Sequence, residues 1–127
     1  MPFVRIAHRQ GQPADFGKKI GEIIYRKMQE TINVPPKDNF QIITTHDANT
    51  LIYDPTYLDI QRTDGIVIIQ ITLNEGRTTE MKKTFFKAVA DTLHDDLGIR
   101  REDVFISLVE VKKENWSFGN GIAQYAV

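Results

Sequence analysis

The spacing of apolar side chains along this chain changes in the same order twice. Phe3 to Ala7 reads as a strand, Phe16, Ile20, Ile24, Met28 and Ile32 then recur at helical spacing, and Phe40 to Ile43 returns to a strand pattern. Further on, Ile66 to Leu73 is a strand, Met81, Phe85, Val89, Leu93 and Leu97 make a helical stripe, and Val104 to Val111 closes the series. Sliding the chain against itself by 65 residues lays Asp38 on Asp103, Gly11 on Gly76, Lys18 on Lys83 and Phe40 on Phe105. The same register pairs Asn33 with Gly98, two residue types that tolerate the left-handed conformation closing a helix. Pro13 suits the first turn of one helix, and Thr78 or Thr79 with Glu80 suits the start of the other.

A strand, a helix and a strand joined in this way form a right-handed crossover with parallel strands. The expectation is an α+β fold in which two β-α-β units share a four-stranded mixed sheet, with two helices on one face. One domain spans 1–127, with internal repeats at 2–46 and 67–111. Residues 47–64 link the halves without clear periodicity, and 115–127 form a carboxy-terminal hairpin or interface arm. Ile66 to Ile69 and Val104 to Ile106 are apolar on both strand faces, so the face without helices is expected to pack against other subunits.

Composition narrows the function classes. A chain of 127 residues with 41% hydrophobic and 26% charged residues is ordinary for a globular protein. Its formal net charge of −1 gives no reason to expect nucleic acid or an anionic membrane as partner. The absence of cysteine removes thiolate chemistry and cysteine-based metal sites, and with no secretory signal or membrane-spanning run it points to a cytoplasmic protein. His8, His46 and His94 lack metal-ligand spacing and read as surface or loop residues. Gly119 and Gly121 lack the strand and helix context of a dinucleotide fingerprint, so neither metal nor cofactor is expected.

Three groups could carry chemistry. Pro2 follows Met1 directly, and removal of Met1 would leave a secondary amine able to act as base, acid or nucleophile at the fixed head of a strand. Arg77, where a strand passes into a helix, could hold a carboxylate, though it also reads as a solvated arginine. Trp116, Phe118 and Tyr125 could form a wall that excludes water, or anchor an interface.

The amino-terminal proline, the repeated β-α-β unit and the two-sided strands together resemble the tautomerase superfamily, which includes 4-oxalocrotonate tautomerase and macrophage migration inhibitory factor. The segments VPPKDNFQIITTH, GRTTEMK and NWSFGNG are similar to its malonate semialdehyde decarboxylase branch. That resemblance implies the tautomerase fold, a homotrimer with sites near subunit boundaries, and catalytic roles for Pro2, Asp38 and Arg77. Read without it, Asp38 is equally a turn residue ahead of a strand, as Asp103 is in the second repeat. The branch pairs two arginines, one residue apart; Arg77 takes the second place and Glu75 the first. One guanidinium suffices for proton transfer beside a carboxylate. The expected function is therefore cofactor-independent keto–enol tautomerisation of a small carboxylate-bearing keto or enol acid, with malonate semialdehyde decarboxylase-like decarboxylation or hydration as the alternative. A non-enzymatic trimeric binding or signalling protein is a further alternative.

Overall fold

The computed structural model describes residues 2–126; Met1, whose removal would free the Pro2 amine, and Val127 lie outside them. Strands β1 (Phe3–Arg9), β2 (Phe40–His46), β3 (Val67–Asn74) and β4 (Val104–Val111) alternate with helices α1 (Phe16–Thr31) and α2 (Thr79–Leu97). They form one four-stranded sheet in the order β2-β1-β3-β4. β1 pairs parallel with β2, β3 pairs parallel with β4, and β1 runs antiparallel to β3. The two crossovers give the parallel pairs, and the antiparallel join of β1 to β3 makes the sheet mixed.

Each helix lays its apolar stripe on the same side of the sheet. Phe16, Ile20, Ile24 and Met28 of α1 and Phe85, Val89 and Leu93 of α2 are buried against Val4, Ile6, Val67, Ile69 and Ile71. Small residues set how closely α1 approaches β2. A Cβ added to Gly17 would lie 2.4 Å from Cγ2 of Ile43, so a larger residue there would force the strand away. The neighbouring Gly21 offers its carbonyl to Nε2 of Gln41 at 2.9 Å.

Helix ends follow local chemistry. Thr78 caps α2 by accepting from the Met81 N–H at 3.2 Å, Glu80 sits in the first turn, and Gly98 closes the helix at φ 69°. Asn33, with φ 59°, takes the same left-handed role after α1. Pro13 departs from expectation. It lies in the turn ahead of the helix, where its carbonyl accepts from the Phe16 N–H at 3.0 Å.

His8 also differs from a surface reading. It occupies a helix-facing position of β1, is 6% exposed and meets Phe16 edge-on at 5.1 Å. Its Nδ1–H donates to the Arg9 carbonyl at 2.9 Å, because a carbonyl can only accept. His46 bridges Thr44 and Thr50, and His94 bonds the Ile99 carbonyl across the end of α2.

The linker is ordered by polar ties to β1 and within itself. Arg9 donates to Asp64 at 3.1 Å and to the Leu51 carbonyl at 3.0 Å, while Nη1 of Arg62 gathers the carbonyls of Asp54, Tyr57 and Ile60. Among the described residues the carboxy-terminal arm has no strand pair. It runs through one-turn helices at Lys113–Asn115 and Gln124–Ala126.

Candidate active site

Topology brings one set of chain ends together. Phe3 pairs with both Phe40 and Thr72, so the heads of the parallel strands β1 and β2 lie beside the tail of the antiparallel β3. Pro2 precedes the first strand, Asp38 the second, and Arg77 follows the third at the entry to α2. Residues far apart in sequence thus converge.

Pro2 is buried and lines a cavity of about 250 Å³ with Phe3, Phe40, Trp116, Ser117 and Phe118. The aromatic arm forms one wall. Trp116 stacks on Phe118 at 5.4 Å, and Phe118 meets Tyr125 edge-on at 4.9 Å. Tyr125 supports the wall from behind and remains 44% exposed.

Asp38 and Arg77 stand beside this cavity, outside its lining. Asp38 is 7% exposed. Burial pushes its carboxyl above the usual aspartate range, while the positive amino terminus and then Arg77 oppose that rise. The loop carrying it is held by α1, whose Tyr25 hydroxyl accepts from the Lys37 N–H at 2.6 Å where Lys37 adopts φ 67°. Arg77 is half-buried and aimed by backbone carbonyls: its Nε donates to Ile32 at 3.0 Å and its Nη1 to Asn74 at 3.2 Å. A guanidinium has five N–H donors, so this pairing leaves others for an anion.

Glu75 lies elsewhere. It lines a shallow hollow with Lys112, Lys113, Glu114 and Tyr125, on the other side of the Tyr125 ring from Phe118, and is absent from the lining of the Pro2 cavity. Wider hollows occur there, at about 460 Å³, and beside His8 and Pro13, at about 400 Å³. Among the described residues, the cavity at Pro2 is the one that joins an amine position and aromatic rings to a neighbouring carboxyl and guanidinium. No group of three or more His, Asp or Glu among the described residues could hold a metal ion. None of their helices is long and apolar enough to cross a membrane.

Phe3, Phe40, Ser117 and Asn74 are not marked as site residues by the sequence. Phe40 carries only the period-two signal of a strand, and Asn74, 8% exposed, looks like the polar end of β3 until its partners are seen.

A family model described as "Tautomerase enzyme" matches residues 38–119. The chain belongs to the tautomerase family. A tautomerase-family relative, "Probable tautomerase YusQ" of Bacillus subtilis (strain 168), is 45% identical over 124 residues, covering 98% of each chain. Among solved structures, the FG41 malonate semialdehyde decarboxylase inhibited by 3-bromopropiolate is 33% identical with a TM-score of 0.89, covering 98% of this chain and 94% of that one. The wild-type fused 4-OT Q0, a symmetric trimer, shares the fold at a TM-score of 0.78 and 19% identity, covering 98% of each chain. This tautomerase-family chain is accordingly an enzyme of isomerase or decarboxylase type.

Proposed function

We propose that the protein is a cofactor-independent keto–enol tautomerase acting on a small α-keto or enol acid through the free secondary amine of Pro2. The observation that carries this reading is the buried Pro2 lining a cavity under an aromatic wall, with Asp38 and Arg77 alongside. Arg77 pairs with the substrate carboxylate. Neutral Pro2 takes the proton of the enol hydroxyl, the O–H electron pair closes the carbonyl, and the C=C pair accepts the proton back at the adjacent carbon from the resulting ammonium. No atom is gained or lost, so no cofactor is required. The carboxylate of Asp38 favours the ammonium, Arg77 disfavours it, and the apolar wall of Trp116 and Phe118 strengthens both influences by excluding water.

Decarboxylation is the second reading, favoured by the 33% identity to a malonate semialdehyde decarboxylase. Against it, the position that pairs with Arg77 two residues earlier carries the carboxylate of Glu75 in place of a second guanidinium. Losing a carboxylate gains from a second cation that fixes the scissile group. The test is to compare ketonisation of phenylenolpyruvate with decarboxylation of malonate semialdehyde. Faster ketonisation is expected, with Glu75→Arg raising decarboxylation more than ketonisation. Efficient decarboxylation without ketonisation reverses the assignment.

The proposed assembly is a homotrimer in the cytoplasm. Phe40, Ile42, Phe105 and Val109 lie on the sheet face that the helices leave bare and are 38–52% exposed. A bare apolar face of this kind is covered in a soluble assembly by symmetric association. Light scattering at micromolar concentration is expected to give three times the chain mass, and a stable monomer would contradict it.

A further inference from the structure

The arm that walls the cavity is closed on itself and, among the described residues, is hydrogen-bonded to the rest of the chain at one point. Gln124 accepts from the Phe118 N–H at 2.9 Å and donates to the Gly119 carbonyl at 2.8 Å, so the loop between them is stapled from within. Among the described residues, the only hydrogen bond from residues 112–126 to the rest of the chain is Trp116 Nε1–H to Oδ1 of Asn74, at 2.7 Å. An indole N–H can only donate, which fixes the amide oxygen of Asn74 toward it. Asn74 also holds Arg77, because its backbone carbonyl accepts from Nη1 at 3.2 Å. One buried residue therefore grips the aromatic wall with its side chain and the guanidinium with its backbone.

We propose that Asn74 is a positioning residue, a latch that sets the distance between the Trp116–Phe118 wall and the Arg77 anion anchor. The inference rests on the proton-transfer reading of the site but makes a separate physical claim. A substrate held by its carboxylate at Arg77 presents its reacting carbon to Pro2 at an angle decided by the wall it leans on. If the latch opens, the arm swings as a stapled unit. The carboxylate then still binds, while the body of the substrate loses its fixed place and water gains access.

Trp116 is the only tryptophan, so its emission reports the latch without any turnover. Asn74→Leu keeps the branching at Cγ and removes the acceptor, and Asn74→Asp keeps the acceptor. The expected result is a red-shifted emission and about threefold greater acrylamide quenching in Asn74→Leu, with Asn74→Asp remaining like the unaltered protein. With phenylenolpyruvate as probe, Asn74→Leu should lower kcat about three- to tenfold, the worth of one net hydrogen bond, with a smaller change in KM. Trp116→Phe breaks the same bond from the arm's side, so the double variant should be no weaker than Trp116→Phe alone. Unchanged emission and quenching in Asn74→Leu, or losses that multiply in the double variant, would overturn the latch. Should the unaltered protein fail to turn over any enol acid, the fluorescence comparison still decides the latch, and only the proton-transfer reading falls.

Discussion

Asp38 and Asp103 stand 65 residues apart, each ahead of the second strand of a β-α-β unit, and both are buried, at 7% and 2% exposure. Their surroundings differ in kind. Asp103 accepts from the Thr63 N–H at 2.7 Å and the Thr63 hydroxyl at 2.6 Å and lies 3.5 Å from Arg100. Asp38 sits beside the Pro2 cavity, where burial raises its pKa and the amino terminus and Arg77 counter that rise. The linker covers the strand heads at Phe105 and brings polar donors, whereas the carboxy-terminal arm covers those at Phe40 and brings aromatic rings. One carboxylate closes the fold, and its counterpart stands beside the Pro2 cavity.

Breaking Asp103 should have the largest effect on stability. Asp103→Ala strands the Thr63 donors and frees the linker, at a cost of about 2–4 kcal/mol in urea unfolding. Ketonisation by the folded variant should stay within about twofold of the unaltered protein, since no part of the cavity is touched. A large activity loss with unchanged stability would reverse the assigned roles.

Asp38→Asn should do the opposite, reducing ketonisation about a hundredfold, the lower range for a group that assists proton transfer. Its effect on stability is smaller and pH-dependent. A carboxyl whose pKa is raised by folding destabilises the fold once it is ionised, and that penalty is complete above the raised pKa. It vanishes as pH falls below the ordinary aspartate value of about 4. The Asp38→Asn variant should therefore melt a few degrees higher than the unaltered protein at pH 7, with the gap closing toward pH 4. A lower melting temperature at pH 7 would show that ionised Asp38 supports the fold.

The helical stripes and the change of period in each half were enough to define the strands, the helices and the mixed sheet, because burial against one layer imposes that spacing. Elsewhere tertiary context decides. His8 carries no sequence mark of burial, yet its strand position turns it under Phe16. Pro13 satisfies the rule for a first helical turn and instead closes the turn before it. At the site, Pro2, Arg77 and the aromatic residues were legible as residue types with distinct chemistry. Asn74 was not, because an amide at a strand end acquires meaning only when Trp116 folds onto it from 42 residues away.

The most direct test of proton transfer by Pro2 is the rate of phenylenolpyruvate ketonisation by protein shown by intact mass to begin at Pro2, set against the same chain retaining Met1. With Met1 attached, the proline nitrogen is an amide and cannot accept a proton. The expected result is rapid ketonisation by the processed form and a loss of at least about a hundredfold in the other. Equal rates would contradict a role for the amine and move the chemistry to another residue.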